Sequence, residues 1–152
     1  MNELEKYMSL AIEEAKKAKE IDEVPIGAIL VKDNKVISRA HNLREHKNDI
    51  TSHAEIECIK KASKKLKDWQ LIDCDLYVTI EPCIMCGGAI AQAHIRRVIY
   101  GSPDPKGGAF GSVIDITKLN NINHKPEVIS GILKEDTSSL VKNYFKEKRN
   151  KK

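Results

Sequence analysis

Two short motifs constrain this chain more than anything else in it: His53-Ala54-Glu55 and Pro82-Cys83-Ile84-Met85-Cys86. Each stands where a helical pattern begins. Thr51 and Ser52 offer hydroxyl N-caps for a helix over about 53–66, and proline at a helix start marks another over about 83–94. Thiols at i and i+3 share one helix face. In the first turn, unpaired N–H groups and the helix dipole favour thiolate over thiol. Two thiolates and one imidazole make a His/Cys/Cys donor set with no obvious fourth protein ligand. Structural zinc sites are closed by four protein ligands, whereas catalytic ones keep a position for water. The chain must therefore fold so that two helix starts meet.

Glu55 is the second diagnostic residue. On a regular helix, residues i and i+2 do not face each other, so His53 and Glu55 can act on one metal only if it lies beyond the helix N-terminus. A carboxylate there can take a proton from a metal-activated water and deliver it to a leaving group. The competing assignment makes Glu55 the N3 residue of a Ser52 capping box, and the spacing fits that as well. Cys58 and Cys74 could in principle close the metal site. Cys58 sits about one and a half turns from His53 among core-like positions, and Cys74 precedes a strand, so both read as small buried hydrophobes.

The rest of the chain alternates strand and helix. Leu4, Tyr7, Met8, Ala11, Ile12, Ala15 and Ala18 recur at helical spacing, and Asn2 with Glu5 resembles a capping box. Segments 26–31 and 35–39 flank Asp33-Asn34 as a tight hairpin. Strands follow at 76–80, 97–100 and 128–130. The 83–94 helix is apolar almost all round, which predicts burial. Leu140, Val141, Tyr144 and Phe145 mark a last helix. This order indicates an α/β layered domain with a mixed sheet, one domain over residues 1–152.

Composition narrows the class. Of 152 residues, 41% are hydrophobic and 32% charged, the balance of a soluble globular chain. The longest apolar run, 27–31, is far short of the roughly 18 residues a membrane span needs, so no membrane is expected as partner. The N-terminus mixes acids with lysines, unlike a signal or transit peptide, and four clustered cysteines suit a cytoplasmic metal protein. Of the 26 basic and 22 acidic residues, six basic and one acidic fall in 142–152, leaving 20 against 21 elsewhere. A near-neutral body thus carries a cationic tail, a candidate polyanion contact.

At these residues the sequence resembles the zinc-dependent cytidine-deaminase-like superfamily, and within it the bacterial tRNA adenosine deaminases. The resemblance spans about residues 4–149. It is carried by VPIGAILV (24–31), AHN (40–42), HAEI (53–56), LYVTIEPCIMC (76–86), DPKGGAFGS (104–112) and NH (123–124). The His-x-Glu…Pro-Cys-x-x-Cys signature is an established mark of zinc base deaminases. The resemblance implies a three-layer α/β/α sandwich with a mixed five-stranded sheet. It implies one zinc ion per subunit held by His53, Cys83 and Cys86, with Glu55 as proton shuttle.

The same resemblance implies that Asn42 binds the base and that Val24, Ile26 and Ala54 line its pocket. Asp104 and Lys106 match a loop that holds neighbouring nucleotides, and Phe145 an aromatic beside a flanking nucleotide. The tail residues Lys146, Lys148, Arg149, Lys151 and Lys152 match an anticodon-stem contact. From the residues alone, Asn42 reads rather as a strand-end turn residue, and Phe145, at helical spacing, as core. The implied activity is deamination of adenosine to inosine at the wobble position of a tRNA, by a homodimer. A free-base or nucleoside deaminase and a non-catalytic zinc-stabilised RNA-binding module are the alternatives. Five positions depart from the family pattern: Ile50, Ser52, Ser102, Pro103 and Phe110. They bear on RNA contact rather than on zinc chemistry.

Overall fold

The computed structural model describes residues 1–151. The amphipathic N-terminal stretch folds as α1 (Glu3–Glu20). Asn2 Oδ1 accepts the Glu5 N–H at 2.8 Å and Glu5 accepts the Asn2 N–H at 3.3 Å, the reciprocal box that the spacing predicts. The chain then forms β1 (Gly27–Lys32) and returns as β2 (Lys35–His41). Asp33 and Asn34 have φ of 51° and 59°, the mirror-image turn whose twist matches that of the strands it joins.

Next come α2 (Ala54–Leu66), β3 (Cys74–Ile80), α3 (Ile84–Gln92), β4 (Arg97–Ser102), β5 (Glu127–Ile129) and α4 (Lys134–Asn150). The sheet order is β2-β1-β3-β4-β5, with β3 central and buried throughout. β1 is antiparallel to β2 and β3, whereas β4 is parallel to β3 and β5. A parallel pair needs a crossover, and α3 provides it between β3 and β4.

Alternation along the strands separates two cores. On one face Leu30, Leu76, Val78 and Val98 pack with Cys58 and Ala62 of α2 and Ile90 of α3. On the other, Ile29, Tyr77 and Ile99 meet Met8 and Ala11 of α1 and Leu133 at the start of α4. The architecture is therefore the expected three-layer α/β/α sandwich.

Two local expectations are corrected. Neither Thr51 nor Ser52 caps α2: His53 occupies the N-cap, Thr51 Oγ1 turns back to Asp49 at 2.7 Å, and Ser52 Oγ is buried without a partner. The apolar α3 is not enclosed. Cys86, Gly87, Ile90 and Ala91 face the core, while Ile84 is 65% exposed. The helix also ends at Gln92, because His94 adopts the left-handed region at φ 60°.

The approach of α1 to the sheet requires a glycine, since a Cβ on Gly27 would run into the Ala11 carbonyl and the Ala15 nitrogen. Gly27→Ala is expected to cost about 2–3 kcal/mol, read as a lower denaturation midpoint with unchanged slope. An unaltered midpoint would mean that α1 shifts freely.

Candidate active site

The two motifs meet as their chemistry requires. His53 is the N-cap of α2 and Cys83 that of α3, both with extended backbone, and neither side chain caps its own helix. Both are thus free to point forward into the space between the helix starts. His53 Nδ1 lies 3.7 Å from Cys83 Sγ and 3.5 Å from Cys86 Sγ. A tetrahedral ion with sulfur bonds near 2.3 Å and nitrogen bonds near 2.05 Å sets an S···N edge of about 3.6 Å. The three donors therefore stand at the corners of a metal site. Cys58 and Cys74 are fully buried elsewhere and take no part.

The electrostatics fit the same role. A hydrogen bond from Cys86, opposed by burial and aided by His53, brings the Cys83 thiol down to about 3. That bond and burial push Cys86 up, while contact with the Cys83 sulfur raises His53. The group readily holds one sulfur anion at two helix N-termini, where the dipoles favour negative charge.

Glu55 lies at the second position of α2, so the Ser52 capping box does not form. Its carboxyl is 4% exposed, and burial pushes it up to about 7 against the pull of a backbone N–H and His53. A carboxyl titrating near neutrality can both accept and return a proton.

Of these groups, His53 and Glu55 line a cavity of about 740 Å³. Val24, Ile26, Asn42 and Ala54 line it, together with Asp104 and Lys106 of the loop after β4 and Phe145 of α4. All seven expected substrate residues are thus brought to one cavity. Asn42 is buried, and its Oδ1 accepts the Arg44 N–H at 3.1 Å, so it serves the turn as well as the cavity. Phe145 is 43% exposed, which corrects its default assignment to the core; Tyr144 takes the buried position instead.

In the tail, Lys146, Arg149 and Lys151 are exposed. Lys148 is 3.5 Å from Asp22 and lies over the Tyr144 ring, helping to dock α4. Lys152 lies outside the described residues. Among the departures, Ile50 is exposed, Ser102 is buried against Thr137, Pro103 lines the cavity, and Phe110 packs against α3 beside Gly87.

Sequence reasoning missed two anchors. Glu23 is buried and accepts the N–H groups of Glu45 and His46 and the His46 ring nitrogen, at 3.1, 2.8 and 2.8 Å. Glu81 is buried and binds the loop that bears Asp104. Their signal was an acid flanking an apolar strand, which alone looks like a solvated end.

A metal-donor triad, a buried carboxyl poised near neutrality and a cavity beside them define an enzyme of the deaminase class. The chain belongs to the MafB19-like deaminase family, which it matches over residues 2–149. It is 45% identical over 152 residues to the tRNA-specific adenosine deaminase of Bacillus subtilis (strain 168), covering 100% of this chain and 94% of that one. It is 46% identical over 149 residues to the tRNA-specific adenosine deaminase of Agrobacterium fabrum (strain C58 / ATCC 33970), covering 98% of each. A solved structure from work on A-to-I editing by tRNA:A34 deaminases superposes with a TM-score of 0.87. It shares 46% identity and covers 89% of this chain and 98% of that one.

Burial works to raise the Glu23 carboxyl, but the N–H groups and ring that it accepts hold it below its ordinary 4.5. The tie is thus intact above 4.5 and lost as the pH falls below it. The Glu23 carboxyl carbon resonance is expected to titrate only below 4.5; a midpoint above 4.5 would contradict this.

Proposed function

We propose that this chain deaminates adenosine to inosine at the wobble position of a tRNA anticodon, consuming water and releasing ammonia. The observation that carries this is the open cavity, which joins His53 of the donor triad and Glu55 to residues of α4 that lead into the cationic tail. The named relatives favour the same substrate over a free base.

His53, Cys83 and Cys86 are the residues that would hold zinc. Bound zinc supplies a Lewis acid that makes water acidic enough to act as a nucleophile near neutral pH. Glu55 would take a proton from the attacking water as its oxygen bonds to C6 and pass it to the purine ring nitrogen; the second water proton would go by the same carboxylate to the amine, so that the C6–N bond breaks and ammonia leaves. The buried Asn42 presents an amide to the purine edge, and Val24, Ile26 and Ala54 supply an apolar slot that excludes bulk water. An anticodon loop suits such a site because its base is already unpaired and easily extruded. Asp104, Lys106 and Phe145 hold the flanking nucleotides, and Lys146, Arg149 and Lys151 approach phosphates, with Lys148 shared between RNA and Asp22.

A cytoplasmic homodimer completes the reading. The exposed apolar residues Ile84, Val113, Ile114 and Leu119 support it. Their segments adjoin, since Phe110 and Ile116 both reach Gly87 of α3.

Glu55→Ala is expected to keep zinc and RNA binding while ammonia release falls by about 10³-fold, whereas Cys83→Ser loses zinc by elemental analysis. Undiminished ammonia release in the first variant would remove Glu55 as the proton shuttle, and full metal in the second would remove Cys83 from the ligand set. Replacing Lys146, Arg149 and Lys151 together by alanine spares the Lys148–Asp22 contact. It should lower the log–log salt slope of tRNA binding by about two to three units, since each phosphate contact contributes about 0.7–0.9. An unchanged slope would return the tail to a solvated helix end.

A further inference from the structure

Glu81 directly follows β3 and stands two residues before Cys83. It is 3% exposed, and every hydrogen bond its carboxylate makes comes from one loop. Oε1 accepts the Asp104 N–H at 3.0 Å and the Ser112 hydroxyl. Oε2 accepts the Phe110 N–H at 2.9 Å and the Ser112 N–H at 3.2 Å. The loop is shaped to admit this group, because a Cβ on Gly108 would collide with the carboxylate. Backbone bonds join the same pieces: Glu81 N–H to the Ser102 carbonyl and Ala109 N–H to the Pro82 carbonyl, each at 2.9 Å.

A buried carboxylate is costly to desolvate, and a neutral residue would serve if the loop needed only to be covered. What a carboxylate alone offers is acceptor capacity at both oxygens, enough for four converging donors. The organisation then passes outward. Asp104 is held by its N–H, and its own Oδ1 accepts the Lys106 N–H at 3.0 Å. Both residues line the rim of the catalytic cavity.

We propose that Glu81 is a positioning residue for substrate binding. It locks the 104–112 loop to the turn that carries Cys83, so that Asp104 and Lys106 meet the nucleotides flanking the target base in a preset arrangement. This rests on the RNA deaminase function proposed above. Glu81 touches neither substrate nor metal; it acts through the loop.

Glu81→Gln separates this role from bulk and packing. Its amide NH₂ cannot replace Oε2, which faces two N–H donors. It can replace Oε1, where the Ser112 hydroxyl can turn to accept while the Asp104 N–H loses its partner. With an anticodon stem-loop RNA bearing a wobble adenosine, the variant should show KM raised about tenfold and kcat within threefold of wild type. Zinc content should stay unchanged. Amide exchange should speed up at Asp104 and remain slow at Phe110 and Ser112.

Gly108→Ala perturbs the same contact from the loop side and should raise KM similarly. Combined with Glu81→Ala, it should add no further loss. Unchanged KM with a released Asp104 amide would overturn the proposal. So would a loss of zinc and kcat at constant KM, which would place Glu81 in support of the metal ligands. If wild-type protein left the stem-loop unreacted, the proposed substrate would fail instead. Asp104 exchange in Glu81→Gln would then still decide whether Glu81 holds the loop.

Discussion

The structure depends on making two helix N-termini from separate segments point at one place. Each end carries unpaired N–H groups and the positive pole of a helix dipole, so bringing two together is unfavourable unless negative charge lies between them. Cys83 and Cys86 provide it, and His53 completes a donor triangle with Nδ1···Sγ edges of 3.5 and 3.7 Å. The sheet order makes the meeting possible. With β3 central, α3 departs from its C-terminal end on the face that α2 also covers, and the small residues Ala54, Cys58 and Ala62 let α2 lie close against it.

The cavity above this point is shaped by buried carboxylates that bind loops rather than cations alone. Glu23 holds the segment after Asn42 through the Glu45 and His46 N–H groups, and Glu81 holds the segment after Ser102. Each buries charge and recovers the cost by accepting several N–H groups that would otherwise lack partners. The walls of the cavity are therefore irregular in backbone yet held by short, directional bonds. A site that must admit a looped polynucleotide cannot be roofed by apolar packing, and these side chains give its rim order while leaving it open.

Much of this was legible in the sequence because it rests on local rules. The Asn2–Glu5 box, the Asp33-Asn34 turn and the placement of His53 and Cys83 at helix starts follow from spacing within four residues. Other features escaped because their cause lies far along the chain. Ser52 looks like a cap, but α2 begins one residue later because His53 is turned towards two sulfurs 30 and 33 residues away. The apolar α3 predicts enclosure, yet the described residues leave Ile84 65% exposed. Phe145 and Tyr144 are adjacent in one helix, and only the docking of α4, with Tyr144 hydrogen-bonded to Asp22, decides which is buried. Glu81 was invisible because its partners lie 23 to 31 residues ahead. The proposed substrate residues Val24, Ile26, Asn42, Ala54, Asp104 and Lys106 came from family resemblance, since no local rule unites positions 82 residues apart.

The central claim is that this zinc-type site acts on an unpaired adenosine presented by RNA. The most direct measurement compares ammonia release by the zinc-loaded protein from an anticodon stem-loop, adenosine, cytidine and guanine, with the RNA product identified by mass. The account predicts one ammonia and one inosine per stem-loop, with the free base and nucleosides far slower. Rapid release from guanine or cytidine, with the stem-loop unreacted, would contradict it.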